Sequence, residues 1–174
     1  MHAIVFSFVD LVCGFIRGER GWLEVDATRR VEEHRDYIDA GSYLSVAPAP
    51  GDREGAECVV YFFGIGQGGS IQANLDRWEG QFKDSSGKPA PAKVNKYTVH
   101  GLSVTTIDVS GEYSGMAGPT ATAPVRVFGY RLLGAIVESR DGNVFIKFTG
   151  PAKTMAANQP KFQQLLNSFQ KADK

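Results

Sequence analysis

The hydrophobic pattern of this chain is clearest in residues 58–82, where a strand, a turn and a helix follow one another. Residues 58–63 (CVVYFF) form an unbroken β-branched and aromatic run, which is typical of a strand buried on both faces. The next apolar residues recur at i, i+4, i+7 and i+11, the spacing of one helical face: Ile71, Leu75, Trp78 and Phe82. The polar residues predicted to face solvent are Gln72, Asn74, Asp76 and Arg77. Ser70 has the residue type of a helix N-cap.

The turn between that strand and that helix, residues 64–69 (GIGQGG), matches the GxGxxG nucleotide fingerprint. A dinucleotide site also needs an acidic residue about 20 positions on, at the end of a second strand. Here the helix leads into a polar loop, residues 83–91, where no buried strand starts, and no Lys-Ser or Lys-Thr pair follows the glycines. No cofactor is therefore predicted, and the glycines are interpreted as residues that bend the backbone.

A second interpretation of this turn is a small-anion site at the start of the helix, where backbone amides point outward. The residues that would form this site are Gly66, Gln67, Gly68, Gly69 and Ser70.

The C-terminal part of the chain is predicted to form hairpins followed by helices. Residues 97–99 and 102–109 are predicted strands around the tight turn His100-Gly101, and residues 125–139 and 144–149 form a second hairpin across an Asp-Gly turn. Residues 111–124, which are small and lack periodicity, are predicted to be a long loop. Pro151 and Pro160 are each predicted to lie in the first turn of a helix. This order indicates an α+β fold, a mostly antiparallel central sheet flanked by helices, and not a doubly wound parallel fold.

The first 42 residues differ from the rest, so the chain is divided into residues 1–42, an atypical N-terminal segment, and residues 43–174, the α+β domain. Residues 3–16 are apolar but too short to span a bilayer, and they fit either a signal-peptide core or a packed helix. Residues 28–40 predict a charged surface helix. Lysine first occurs at Lys83, whereas six of the ten arginines lie in the first 53 residues. This shift in composition suggests a third hypothesis, that the start of the chain is misassigned.

Composition narrows the classes of function. Nineteen basic residues balance nineteen acidic ones, so neither nucleic acid nor an anionic membrane surface is an expected partner, and no integral membrane span is predicted. Two cysteines outside any CxxC pair indicate neither a disulfide framework nor a metal site. The three histidines are far apart, and no GxSxG, HExxH or EF-hand pattern occurs. We therefore expect no catalytic residues, no metal and no enzymatic activity.

Several segments together resemble a bacterial family of uncharacterised proteins: 59–70 (VVYFFGIGQGGS), 78–82 (WEGQF), 108–113 (DVSGEY), 134–138 (GAIVE) and 148–154 (FTGPAKT). The element order is similar to the PsbP-like α/β/α sandwich, shared by an extrinsic photosystem II subunit and a Ran-binding nuclear transport factor. The resemblance implies this fold and no particular activity. Members usually carry an export or lipoprotein signal, which implies a periplasmic or cell-envelope location, or a cytoplasmic one if residues 3–16 are not a signal.

The function predicted from the sequence is a non-catalytic protein-interaction or accessory scaffold module of an exported or cell-envelope family. In this interpretation the loops 64–69 and 111–124 form a contact surface, and Tyr113 and Met116 bind an unidentified partner protein. The alternative is a small-ligand or anion-binding protein that uses the Gly-rich turn.

Overall fold

In the computed structural model, residues 41–116 and 124–170 are described, and they form one seven-stranded sheet with two helices. The strands are β1 (Gly41–Val46), β2 (Ala56–Phe62), β3 (Phe82–Lys83), β4 (Lys93–Val99), β5 (Leu102–Met116), β6 (Pro124–Glu138) and β7 (Val144–Pro151). The helices are α1 (Ile71–Glu79) and α2 (Ala152–Asn167). The strand order is β1-β2-β7-β6-β5-β3, β4 also pairs with β5, and every pairing is antiparallel. The predicted α+β class is confirmed.

The sheet is buried on both faces, and each face is covered by a different helix. Strand β6 shows this alternation: Leu133 and Val137 pack in the cluster that contains α2, whereas Leu132 and Ile136 pack in the cluster that contains α1. All four side chains are less than 5% exposed. The central strands therefore carry apolar residues at consecutive positions, as the unbroken apolar runs predict.

Both predicted hairpin turns are present. His100 (φ 45°) and Gly101 (φ 78°) join β4 to β5 in the left-handed region, as a tight two-residue hairpin requires. The turn between β6 and β7 is closed by Ser139, whose hydroxyl donates to the carbonyl of Gly142 at 2.7 Å.

The predicted loop at residues 111–124 is wrong at both ends, because Gly111–Met116 lie in β5 and Pro124 begins β6. Two of its glycines, Gly111 and Gly115, reflect close packing within a strand. A Cβ on Gly111 would lie 2.2 Å from the carbonyl oxygen of Lys83, and one on Gly115 would lie 2.4 Å from the hydroxyl of Tyr113. Glycine is used here so that a neighbouring strand and a large ring can approach the backbone.

The prediction that Pro160 begins a second C-terminal helix is also wrong. Pro160 lies inside the single helix α2, while Pro151 is its N-cap residue. Proline in a helix interior removes the bond to the carbonyl four residues earlier. Pro160 is exposed, and the buried side chains of Met155, Phe162 and Leu166 hold the helix against the sheet on either side of it.

The predictions for residues 1–40 lie outside the described residues, and β1 begins at Gly41. Among residues 41–116 and 124–170, no helix has the length and apolarity needed to cross a bilayer.

Candidate functional site

Helix α1 begins as predicted but ends earlier. The Ser70 hydroxyl accepts a bond from the Ala73 amide at 3.1 Å, so the predicted N-cap is confirmed. The helix stops at Glu79, and Gly80 is its C-cap. Phe82, predicted on the last turn, lies in strand β3 and is 1% exposed in the same apolar cluster. The apolar spacing therefore located its burial correctly and its secondary structure wrongly.

The Gly-rich turn bends the backbone as predicted, since Gly64, Gly66, Gly68 and Gly69 all have φ between 70° and 88°. L-residues other than glycine rarely adopt this region. Gly68 is also sterically constrained: a Cβ there would lie 2.5 Å from the Phe145 ring. The turn therefore packs directly against an aromatic residue of the sheet.

Asn74 was predicted to face solvent, and this is wrong, because its side chain is 3% exposed. Its Nδ2 donates to the carbonyl oxygens of Gly68 at 2.8 Å and Ser70 at 2.9 Å, and its Oδ1 accepts from Arg77. A polar side chain is buried here because it satisfies backbone acceptors of the turn. Asn74 thus ties the Gly-rich turn to α1 and holds Arg77 at its side.

Next to this turn, α1 and the sheet form a half-open cavity of about 250 Å³, which we call the α1 cavity. Its aromatic lining residues are Tyr61, Phe63, Trp78 and Phe145. Its polar lining residues are Asn74, Arg77, Gln81 and Lys147. A concave site that combines aromatic side chains with convergent polar groups is a common form of small-molecule site.

Lys147 is the most unusual residue of the α1 cavity. It lies in β7 between Ile146 and Phe148, which are both buried on the other face of the sheet, in the cluster that contains α2. Its Nζ donates to the hydroxyl of Tyr113 at 3.2 Å and lies 5.4 Å from the centroid of that ring. Burial, and secondly the charge of Arg77, lower the pKa of Lys147 to about 8, while the charge of Glu57 opposes this shift.

The tyrosines around this lysine remain neutral hydroxyl groups near pH 7. Burial raises the pKa of Tyr113 to about 12, with smaller contributions from Glu57 and Tyr61. Burial also raises the pKa of Tyr61, although the charge of Arg77 opposes this. The charge of Arg77 therefore acts on both Tyr61 and Lys147, and all three residues line the α1 cavity.

Replacing Lys147 with methionine is expected to stabilise the protein at pH 7. The lowered pKa means that burial disfavours the charged lysine by about 3 kcal/mol, which partial solvent access reduces to about 2 kcal/mol. The folded state loses this proton near pH 8 and the unfolded state near 10.5. Between these values the unfolded state binds more protons, so wild-type stability rises with pH and the advantage of the variant shrinks.

Denaturant unfolding of both proteins from pH 6 to 11 measures this difference. Lys96→Met is the matched control, because Lys96 is an exposed lysine of the edge strand β4, paired with Glu138 at 3.6 Å. It should change stability by less than about 0.5 kcal/mol. Equal stability of Lys147→Met and wild type at pH 7 would contradict a charge cost at this position.

The predicted anion site and the α1 cavity lie next to each other in the structure. Gly66, Gln67, Gly68, Gly69 and Ser70 form the turn at one side of the cavity, and ligand binding by them stays a prediction. Within the described part of the chain, no group of three His, Cys, Asp or Glu residues could hold a metal ion.

Tyr113 and Met116 are strand residues of β5 and not loop residues, so the structural reason for predicting them as partner contacts is wrong. Tyr113 is 2% exposed and stacks on Tyr130, with ring centroids 5.8 Å apart. Neither Lys147 nor Arg77 was predicted from the sequence as a site residue. A lysine within the apolar run of residues 144–148 (VFIKF) was the available signal for the first.

Comparisons with known proteins give a fold and no family. No family model and no curated protein matches the chain. Among solved structures, the chain is similar to PA94 from Pseudomonas aeruginosa, a protein of unknown function described as a candidate regulator. The two are 13% identical, the match covers 81% of this chain and 89% of PA94, and the TM-score is 0.50. They share a fold. At this identity the likeness shows nothing about function.

Proposed function

We propose that this protein is a non-catalytic binding protein and that its ligand is a small anion held in the α1 cavity. The observation that carries the proposal is that Lys147 and Arg77 line one cavity whose other walls are largely aromatic. This keeps the predicted alternative of anion binding but moves the site from the amides of the Gly-rich turn to the side chains next to it.

The electrostatics of the α1 cavity favour an anion. The charge of Arg77 and the burial of Lys147 both act against protonation of that lysine. A bound anion would oppose both effects, because an opposite charge within about 4–6 Å favours the charged form. The attraction of the half-buried Lys147 for an anion also exceeds that of an exposed lysine, since the effective dielectric constant is lower.

The size of the α1 cavity favours a small ligand. Sites for drug-sized molecules usually measure about 300–1,000 Å³, and this cavity has about 250 Å³. This volume therefore suits a ligand smaller than a nucleotide.

We further propose that the fold is of the PsbP-like type and that the protein belongs to an exported or cell-envelope family. The antiparallel sheet with α1 on one face and α2 on the other supports this type of sandwich. The location follows from the family resemblance of the sequence.

A protein-interaction or accessory scaffold role is the second candidate. Two large apolar side chains support it, since Phe128 on β6 is 80% exposed and Ile65 in the Gly-rich turn is 73% exposed. Isolated exposed apolar residues are common on protein surfaces, whereas charged groups converging in a cavity are less so. We therefore favour ligand binding.

A thermal-shift screen with phosphate, acetate, benzoate and other organic acids tests the main proposal. A site occupied at 100 times its dissociation constant should add about 2.7 kcal/mol to the free energy of unfolding. We expect at least one anion to do this at pH 7 and to lose the effect in Lys147→Met and in Arg77→Met.

Lys96→Met and Arg140→Met are the matched controls, because both residues are exposed and neither lines the α1 cavity. They should keep the wild-type shift. The absence of a shift with every anion would overturn the proposal and favour the second candidate. A shift that survives in the Lys147 and Arg77 variants would place the binding elsewhere.

A further inference from the structure

We infer that the ligand of the α1 cavity is a planar aromatic monocarboxylate. This inference rests on the proposed function and deepens it, because it names the chemical class of the anion. It depends on the net charge of the groups around the cavity and on the ring geometry of its walls.

The charges indicate a single negative charge on the ligand. Lys147 and Arg77 line the cavity, while the charge of Glu57 acts on Lys147 and on Tyr61. Two cations with one carboxylate nearby leave a single positive charge to be balanced. A monocarboxylate balances it, whereas a phosphate dianion would leave an excess of negative charge in a partly buried place.

A carboxylate also fits the donors that are present. The guanidinium of Arg77 donates one bond to Asn74 through Nη2, and its remaining N–H groups can donate to the oxygens of a carboxylate. The Lys147 ammonium is a point donor, with one bond already made to the Tyr113 hydroxyl. It keeps further N–H groups for a ligand, because an ammonium has three.

The walls of the cavity favour an aromatic ring. Tyr61 and Phe63 are nearly parallel, at 9° with centroids 5.9 Å apart, and Phe145 is tilted by 56° to Phe63. A planar aromatic ligand can add offset-stacked or edge-to-face contacts to such a group of rings. A saturated ring of the same size lacks the quadrupole on which these contacts depend.

Trp78 also lines the cavity, so its fluorescence can report ligand binding directly. The chain has two tryptophans, Trp22 and Trp78. In the full-length variant Trp22→Phe, the tryptophan fluorescence therefore reports Trp78 alone.

The test titrates this variant with benzoate, cyclohexanecarboxylate, acetate and phosphate at pH 7, by Trp78 fluorescence and by calorimetry. We expect benzoate to bind about 2- to 10-fold more tightly than cyclohexanecarboxylate, the range that aromatic contacts usually add. Acetate and phosphate should bind more weakly than either. In Tyr61→Leu/Phe63→Leu, the preference for benzoate over cyclohexanecarboxylate should fall to about one.

Both substituted residues are half-buried, and thermal unfolding checks that the double variant is folded. If it is not, Phe63→Leu alone replaces it. Equal affinity for the two ring acids, tighter binding of phosphate, or a benzoate preference unchanged by the leucines would overturn the inference and leave anion binding intact. If none of the four anions binds, the inference is overturned and the broader anion screen decides the proposed function separately.

Discussion

Replacing Gly134 with alanine is expected to destabilise the protein by about 3 kcal/mol, the upper end of the usual cost of overpacking. Gly134 is a central residue of β6, and a Cβ there would lie 2.6 Å from Ile107 and 2.7 Å from the Trp78 ring. Both side chains are buried, at 1% and 3% exposure. Neither can move aside without opening the packing between α1 and the sheet.

Chemical denaturation of the variant measures this effect, and Trp78→Phe supplies the control. In the Trp78→Phe background the added methyl group meets a smaller ring, so Gly134→Ala should cost less than in the wild type. Such a non-additive result is expected for residues in direct contact. Equal costs in the two backgrounds, or a cost below about 0.5 kcal/mol, the usual range for surface substitutions, would contradict this view of Gly134.

Replacing Asp52 with alanine is expected to cost about 2 to 3 kcal/mol, because Asp52 caps helix α2 from a distant loop. Pro151, the N-cap residue, makes no side-chain capping bond. Instead the Asp52 carboxylate accepts bonds from the Thr154 amide at 2.8 Å and from the Thr154 hydroxyl at 2.7 Å. Thr154 is fully buried. Removal of the carboxylate would leave buried donors unsatisfied, at about 1–3 kcal/mol for each such group.

Asp52→Asn is the matched control, since it keeps one oxygen acceptor of the same geometry and removes the charge. We expect it to lose about half of the effect. Thr154→Val combined with Asp52→Ala should cost less than the two single changes together, because both remove the same bond. Denaturant midpoints of the four proteins measure this cycle. Additive losses would show that Asp52 stabilises the chain in another way.

Much of the fold was predictable from local patterns. The unbroken apolar run of residues 58–63 predicted a strand covered on both faces, and Ser70 and the His100-Gly101 turn are local signals that tertiary contacts did not override. The errors at Gly111, Gly115 and Pro160 share another cause. In each case a non-local contact or a long packed face decided the conformation, which residue type alone does not report.

The candidate site was less predictable, because its residues come from separate elements. Tyr61 comes from β2, Arg77 from α1 and Lys147 from β7, and the distances between them in sequence carry no pattern. The Gly-rich turn, which was predicted from the sequence, does lie next to the candidate site, since Gly68 packs on Phe145 of the cavity wall. Asn74 was assigned to solvent because helical periodicity treats every polar residue as exposed, unless its hydrogen bonds are known.

The pairing of β2 with β7 determines when the protein can complete its fold during synthesis. These strands meet through pairs such as Tyr61 with Phe145, although more than 80 residues separate them along the chain. The first hairpin, β1–β2, therefore leaves the ribosome long before its neighbour in the sheet has been translated. Until β7 emerges, the nascent polypeptide exposes the edge of β2, a surface prone to aggregation. The α1 cavity also lacks Lys147 and Phe145 until that late stage, so an incomplete chain cannot form the complete cavity.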